Sequence, residues 1–115
     1  MRLTVKLRNI ESSDEIHESI ERRVRFALGR YGDRIQRTDV VMTDVNGPRG
    51  GADQHCTLTV ILPSEPPIVI EVTDIEIMAA VGRAAERAAR HVRDNLKRRR
   101  DLQRHYGADR LPIVR

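Results

Sequence analysis

The chain has 115 residues, a formal net charge of +4 and an aromatic content of only 3%, which fits one domain with a modest core of Val, Ile, Leu and Ala. A sequence pI of about 10.0 favours an acidic partner such as RNA or DNA, whereas apolar runs as short as Val60–Leu62 exclude a membrane span. The N-terminal residues lack the apolar core of a signal peptide, and a lone Cys56 excludes an intrachain disulfide framework, so a cytoplasmic protein is expected.

The N-terminal part of the chain predicts a strand followed by a helix. Apolar Leu3, Val5 and Leu7 alternate with polar residues, as in a half-buried strand. Ser12 or Ser13 then caps a helix that Gly32 is expected to end. The apolar stripe of this helix consists of Ile16, Ile20, Val24, Ala27, Leu28 and Tyr31.

Three further strands are predicted after this helix. The strand over residues 35–45 has two possible facings, with either Val40 and Met42 or Val41 and Val45 pointing inward. Residues 46–53 are a loop on composition, because glycine, proline and asparagine dominate them. The inward residues of the last two strands are Cys56, Leu58, Val60 and Leu62, then Ile68, Ile70 and Val72.

A long helix is predicted from Thr73 to Arg104, because Thr73 and Glu76 have the spacing of a capping box. Apolar residues then recur every three or four positions, at Ile77, Val81, Ala84, Ala88, Val92 and Leu96. Residues 105–115 show no period and are interpreted as a tail that is disordered on its own. Residues 1–104 are therefore expected to form a single α/β domain.

Positive charge is concentrated in the second half of this helix. Residues 83–104 hold nine Lys or Arg and three acids, a net +6, so the remaining residues sum to −2. Cations on a helix often form an ordinary solvated face, and Glu86 and Asp94 are spaced to pair with Arg87 and Arg90. The run Lys97-Arg98-Arg99-Arg100 is under-neutralised, however, and this favours an anionic partner.

The element order β-α-β-β-β-α predicts an α+β two-layer fold. A strand-helix-strand start makes the first two strands parallel, and short links make the other neighbours antiparallel, giving a four-stranded mixed sheet. Each strand has one apolar side, so both helices should pack on the same face of the sheet. The other face is expected to be open to water or a partner through Thr4, Lys6, Arg8, Thr57, Thr59 and Glu71.

The sequence gives no support to an enzyme, a cofactor, a metal site or a small-molecule substrate. The four histidines and Cys56 lack the spacing of metal ligands, and neighbouring His55 and Cys56 point to opposite faces of a strand. Single-strand RNA binders stack bases on aromatic residues. Of the three aromatic residues, Phe26 and Tyr31 are expected at or near the core of the first helix, so recognition of folded or double-stranded RNA through its backbone is predicted.

The chain resembles the family of hibernation-promoting factors and ribosome-associated inhibitors, also called sigma-54 modulation proteins. The resemblance covers about residues 1–100 and lies in Met1–Val5, Arg30–Ile35 and Ile77–Val81, with Met78 and Gly82 where the family carries Tyr and Asp. It implies the same β-α-β-β-β-α domain, of the short class. It also implies binding to rRNA of the small ribosomal subunit at the decoding region, where the protein would exclude mRNA and tRNA and inhibit translation under stress.

The candidate RNA-binding residues are basic residues of the two predicted helices. They are Arg83, Arg87, Arg90, Lys97, Arg98 and Arg100 of the second helix, with Arg22, Arg23 and Arg30 of the first. Two alternatives stay open: a generic double-stranded RNA-binding module, and a protein-interaction domain that uses the open sheet face. The sequence leaves the oligomeric state undecided.

Overall fold

The computed structural model describes residues 1–45 and 53–110, the last six of them by backbone alone. It contains four strands, two α-helices and a short 3-10 turn. In chain order these are β1 (Arg2–Arg8), α1 (Asp14–Leu28), the 3-10 turn Gly29–Tyr31, β2 (Arg37–Asp44), β3 (Gln54–Ile61), β4 (Ile68–Asp74) and α2 (Ile77–Arg110).

The four strands form one mixed sheet in the order β1-β2-β3-β4. β1 pairs with β2 in parallel, whereas β2–β3 and β3–β4 are antiparallel. Side chains of both helices join the inward residues of the strands in one core. The predicted α+β fold, with both helices on one face, is therefore confirmed.

The facing of β2 is settled in favour of the first alternative. Val40 and Met42 are fully buried, whereas Val45 is 56% exposed. Val40 lies opposite Leu58 of β3, and Met42 lies opposite Cys56, so all four side chains enter the core from the same face. The predicted loop falls largely on residues 46–52, which lie outside the described part of the chain.

α1 begins as predicted but ends differently. Ser13 is the N-cap, in extended backbone, and its Oγ accepts a hydrogen bond from the backbone N–H of Ile16 at 3.1 Å. The α-helix ends at Leu28 and tightens into the 3-10 turn, after which the N–H of Gly32 donates to the carbonyl of Gly29. Gly32 thus ends the helical run, but as the cap of the 3-10 turn and in a right-handed conformation (φ −56°, ψ −37°), whereas a C-terminal glycine is usually left-handed.

The predicted capping box at Thr73 was wrong. Thr73 belongs to β4, and its Oγ1 lies 2.9 Å from Nδ1 of His55 on the open sheet face. Asp74 turns the chain instead, since its Oδ1 accepts hydrogen bonds from the backbone N–H groups of Ile75 at 2.7 Å and Glu76 at 3.4 Å. α2 therefore begins at Ile77.

α2 packs against the sheet mainly through alanines. The predicted stripe is buried from Val81 to Val92, and Ala80 and Ala85 join it. Such small side chains bring the helix backbone close to β3 and β4. α2 extends to Arg110, past the predicted end at Arg104, so the backbone of residues 105–110 is helical.

Candidate nucleic-acid interface

α2 presents a row of basic side chains on the side opposite its buried alanines. Arg83, Arg87, Arg90 and Lys97 are all exposed, whereas Ala84, Ala88 and Val92 between them are buried. Because a helix turns about 100° per residue, positions three or four apart stay on one side. The structure therefore places these four predicted residues on one solvent-facing surface.

Three of the six predicted α2 cations have partners. Arg83 forms an ion pair with Asp74, with 3.3 Å between Nη1 and Oδ2, and Arg100 lies 3.8 Å from the carboxylate of Asp101. Arg98 donates a hydrogen bond to the side chain of Asn95. Exposed pairs of this kind contribute about 0–1 kcal/mol, so they orient these cations without withdrawing them from a ligand.

The ion pair with Arg83 also affects the pKa of Asp74, the residue that precedes the start of α2. The backbone N–H groups of Glu76 and Ile75 lower the pKa of the Asp74 carboxyl below its ordinary 3.8, and the hydrogen bond and charge of Arg83 lower it further. Asp74 is thereby kept ionised at the N-terminal end of α2, where negative charge is favoured by the helix dipole.

The other three predicted α2 cations are unneutralised. Within the described residues, Arg87, Arg90 and Lys97 form neither a hydrogen bond nor an ion pair. Glu86 and Asp94, which the spacing made candidate partners, are engaged elsewhere: Glu86 with Arg23 at 3.0 Å and Asp94 with Arg93 at 3.2 Å. Their charges are thus available to an external anion.

The cations predicted on the first helix divide in the same way; Arg22 and Arg23 lie on α1, and Arg30 lies in the 3-10 turn. Arg23 crosses from α1 to α2 to reach Glu86, and its Nε lies 3.4 Å from the position that a Cβ would take at Gly82. Arg22 and Arg30 are exposed, with no partner in the described part of the chain. Arg23 is therefore partly structural, whereas Arg22 and Arg30 are free.

Two adjoining clefts lie between α2 and the segment formed by α1 and the 3-10 turn. One has a volume of about 450 Å³ and the other about 750 Å³, and Arg30, Tyr31 and Arg93 line both. We call the pair the interhelical groove. Its basic lining residues are Arg23, Arg30, Arg34, Arg90, Arg93, Lys97, Arg99 and Arg100, against two acids, Asp33 and Glu86.

The groove gathers five of the nine predicted residues and leaves out four. Arg23, Arg30, Arg90, Lys97 and Arg100 line it, whereas Arg22, Arg83, Arg87 and Arg98 do not. Arg98 and Lys97 border a separate shallow depression of about 440 Å³ further along α2. The charged surface is thus wider than the groove and continues along the solvent side of α2.

Arg34, Arg93 and Arg99 of the groove were absent from the predicted set. The positions of Arg93 and Arg99 within the basic run were visible in the sequence, but their place in the wall of the groove was not. Arg99 pairs with Glu65 at 3.5 Å and donates to the carbonyl of Pro63 at 3.2 Å, which ties α2 to the β3–β4 turn.

The prediction that Phe26 lies at or near the core was wrong. Its side chain is 84% exposed and lines the smaller cleft. The sequence did carry a signal, because Phe26 is two residues from both Val24 and Leu28, about 200° from each around the helix. Tyr31, by contrast, packs against the core as expected.

A metal site, a reactive thiol and a membrane-spanning helix are all absent from the described residues. No group of three or more His, Cys, Asp or Glu among them is arranged to hold a metal ion. Cys56 is fully buried, and burial raises the pKa of its thiol to about 12. No helix in these parts of the chain combines the length and apolar character needed to span a bilayer.

Comparison with known proteins identifies related sequences and folds. Residues 3–100 match the family described as sigma 54 modulation protein / S30EA ribosomal protein. The fold resembles the N-terminal domain of Thermus thermophilus Protein Y, with a TM-score of 0.65 and 24% identity over 80% of this chain and 96% of that one. It also resembles a ribosomal subunit interface protein from Coxiella burnetii, with a TM-score of 0.68 and 13% identity over 84% and 99% of the two chains. No curated protein matches the chain in sequence.

Proposed function

The chain belongs to the sigma 54 modulation protein / S30EA ribosomal protein family, and from this premise we propose that it is a ribosome-associated inhibitor of translation. In this proposal it binds rRNA of the small subunit at the decoding region. Bound there, it occupies space that mRNA and tRNA need, and initiation stops while the protein remains. The site of action is the cytoplasm, under conditions in which cells stop growing.

The observation that carries the proposal is the unneutralised charge on and beside α2. Eight basic residues line the interhelical groove, and four of them form ion pairs. The other four, together with Arg87 on the adjoining surface, have no ion-pair partner in the described residues: Arg30, Arg34, Arg90 and Lys97. Arginine guanidinium groups bind phosphate oxygens in pairs of parallel hydrogen bonds. A folded RNA presents many phosphates in a fixed arrangement, so a rigid set of guanidinium groups suits it.

The mechanism that follows is steric and needs no bond to form or break. Each phosphate that a Lys or Arg neutralises releases condensed counterions into solution, and this release supplies most of the binding free energy at low salt. The sheet and the two helices fix the backbone positions of the cations, so binding orders their side chains but requires no rearrangement of the backbone. The body of the domain then excludes other ligands from the occupied site.

Charge reversal tests the proposal directly. We expect the triple variant Arg87→Glu, Arg90→Glu, Lys97→Glu to stop co-sedimenting with purified small subunits, because it replaces three unpaired cations by anions. The matched control is Arg2→Glu, Lys6→Glu, Arg8→Glu, which makes the same change of charge on exposed residues of β1. Retained binding by the first variant, or equal loss by both, would contradict the proposal.

The control also separates the competing functions. Loss of binding only in the β1 variant would favour a protein-interaction domain that uses the open sheet face. Equal affinity of the wild type for small subunits and for an arbitrary RNA duplex would favour a generic double-stranded RNA module. The proposed function requires higher affinity for the subunit, and a steep loss of binding as salt rises.

A further inference from the structure

Phe26 is the most exposed large apolar side chain of the described residues. Its 84% exposure contrasts with full burial of Val24 and Leu28, its neighbours on α1. The ring contributes no apolar burial to the core, which is formed by Val24, Leu28 and the other buried residues. An aromatic ring exposed in the wall of a cleft offers a flat face on which another planar group can stack.

The surroundings of the ring are cationic. The guanidinium carbon of Arg23 lies over the Phe26 ring, 5.8 Å from its centroid, which is within the range of a cation–π contact. The ion pair with Glu86 holds Arg23 in this position. Arg30 and Arg90 line the same cleft of about 450 Å³ and are unpaired among the described residues.

This combination matches the chemistry of one nucleotide. An aromatic face binds the flat surface of a base that has left its stack, and nearby guanidinium groups bind the phosphates on either side of it. A protein partner fits less well, because protein interfaces bury several large apolar residues together. Besides Phe26, the cleft is lined by five charged side chains, four of them basic, and otherwise only by Tyr31 and two alanines.

We propose that Phe26 is a stacking platform for a single unpaired base of the bound RNA, with Arg30 and Arg90 holding the flanking phosphates. The inference rests on the proposed RNA-binding function and adds selectivity to it. Bases inside a continuous duplex are already stacked on each other and cannot use the ring. The protein should therefore prefer folded RNA with a bulged or flipped-out nucleotide over a fully paired helix.

Two RNA hairpins test this selectivity, one with a single-nucleotide bulge in its stem and one identical but with a fully paired stem. Both are closed by the same short tetraloop, so that only the bulge differs, and each is labelled for fluorescence anisotropy. We expect the full-length wild-type protein to bind the bulged hairpin about tenfold more tightly, since stacking on an aromatic residue contributes enough for such a ratio. Phe26→Leu keeps an apolar side chain but lacks a π face, and should bind both hairpins equally. Phe26→Tyr should restore the preference.

Val69→Ala is the control. Val69 is 55% exposed on the open sheet face, so its substitution should leave the preference for the bulged hairpin unchanged. No preference in the wild type, or an unchanged preference in Phe26→Leu, would overturn the inference. So would weakened binding of Phe26→Leu to small subunits with both hairpin affinities unaltered, which would indicate that a protein surface covers the ring.

The outcome is separable from that of the proposed function. If the wild type co-sediments with small subunits while Phe26→Leu matches it on both hairpins, the stacking platform fails and ribosome binding stands. If the wild type fails to co-sediment but discriminates between the hairpins, the ribosomal function fails and the stacking platform stands.

Discussion

Arg23 of α1 and Glu86 of α2 form an ion pair across the helix interface, with 3.0 Å between Nη2 and Oε1. The contact spans 63 positions of the chain. It also removes Glu86 from the reach of Arg87 and Arg90, its neighbours on α2. One carboxylate thereby fixes the groove wall and leaves the adjacent cations to bind an external anion.

Neutralising this carboxylate should strengthen RNA binding. In Glu86→Gln, Arg23 keeps a polar neighbour while the groove gains one net positive charge, so we expect affinity for small subunits to rise about two- to fivefold at low salt. The free energy of unfolding should fall by no more than about 1 kcal/mol, because the pair is partly exposed. Binding measured at two salt concentrations checks both the size and the salt dependence.

Glu18→Gln is the matched control for that variant. Glu18 is exposed on α1 and does not line the groove, so the same change of charge there should alter binding much less. An equal gain in both variants would mean that net charge, rather than the groove, controls affinity.

Asp74 should make stability depend on pH in the acid range. Its folded pKa lies below the ordinary 3.8, so its contribution is present above that value and is lost as pH falls through the folded pKa. Asp74→Asn removes the titrating group but keeps an oxygen for the backbone N–H groups of Ile75 and Glu76. The difference in melting temperature between wild type and variant should be largest near pH 5–7 and shrink below about pH 4. If the difference in melting temperature stayed constant down to pH 2, Asp74 would not be the group that makes stability depend on pH.

Cys56 should be inert in the folded protein. A rise of its pKa from 9.0 to about 12 lowers the thiolate fraction near neutral pH about a thousandfold, and the side chain is fully buried. We expect iodoacetamide to label it only when the protein unfolds, so the labelling rate should follow the denaturant midpoint seen by circular dichroism. Rapid labelling without denaturant would show that β3 opens locally.

Gly82→Ala should stabilise the protein. Glycine inside a helix costs about 1 kcal/mol relative to alanine, and the new methyl group would meet Arg23 Nε at 3.4 Å, an ordinary van der Waals distance. We expect a higher melting temperature and unchanged binding to small subunits. The reverse change at a half-buried α2 position, Ala79→Gly, should destabilise by a similar amount. A lower melting temperature in Gly82→Ala would show that the Arg23 side chain cannot move away from the new methyl group.

Much of the fold could be predicted because local patterns determined it. Alternating apolar residues in β1, β3 and β4 specify which side of each strand is buried, and the stripe from Ile20 to Leu28 specifies the face of α1. β2 was ambiguous because apolar residues such as Val40 and Val41 are adjacent, so neither alternation stood out. Pairing with Leu58 resolved it, and that pairing is a tertiary contact that no local pattern contains.

The candidate site was less predictable, because it depends on how two helices pack. The basic run of α2 is evident in the sequence, yet two of the pairings that decide its free charge are distant in the chain: Arg23 engages Glu86, and Glu65 engages Arg99. The start of α2 was misplaced because Thr73 still belongs to β4, and the carboxylate of Asp74 accepts the hydrogen bonds of the turn that leads into the helix. The exposure of Phe26 could have been predicted from its angular position on α1, about 200° from Val24 and Leu28. The prediction failed because it considered only that Phe26 is hydrophobic.

α2 is much longer than the sheet that supports it. Its 34 residues span about 51 Å, whereas the strands of seven or eight residues reach about 27 Å at most. Among the residues that the structure describes, no hydrogen bond or ion pair joins residues 100–104 to another element. The length of this overhang can therefore change without altering the packing of the folded body. Inserting two turns of helix after Arg100 would move the terminal charges about 10 Å outward and leave the melting temperature where it was.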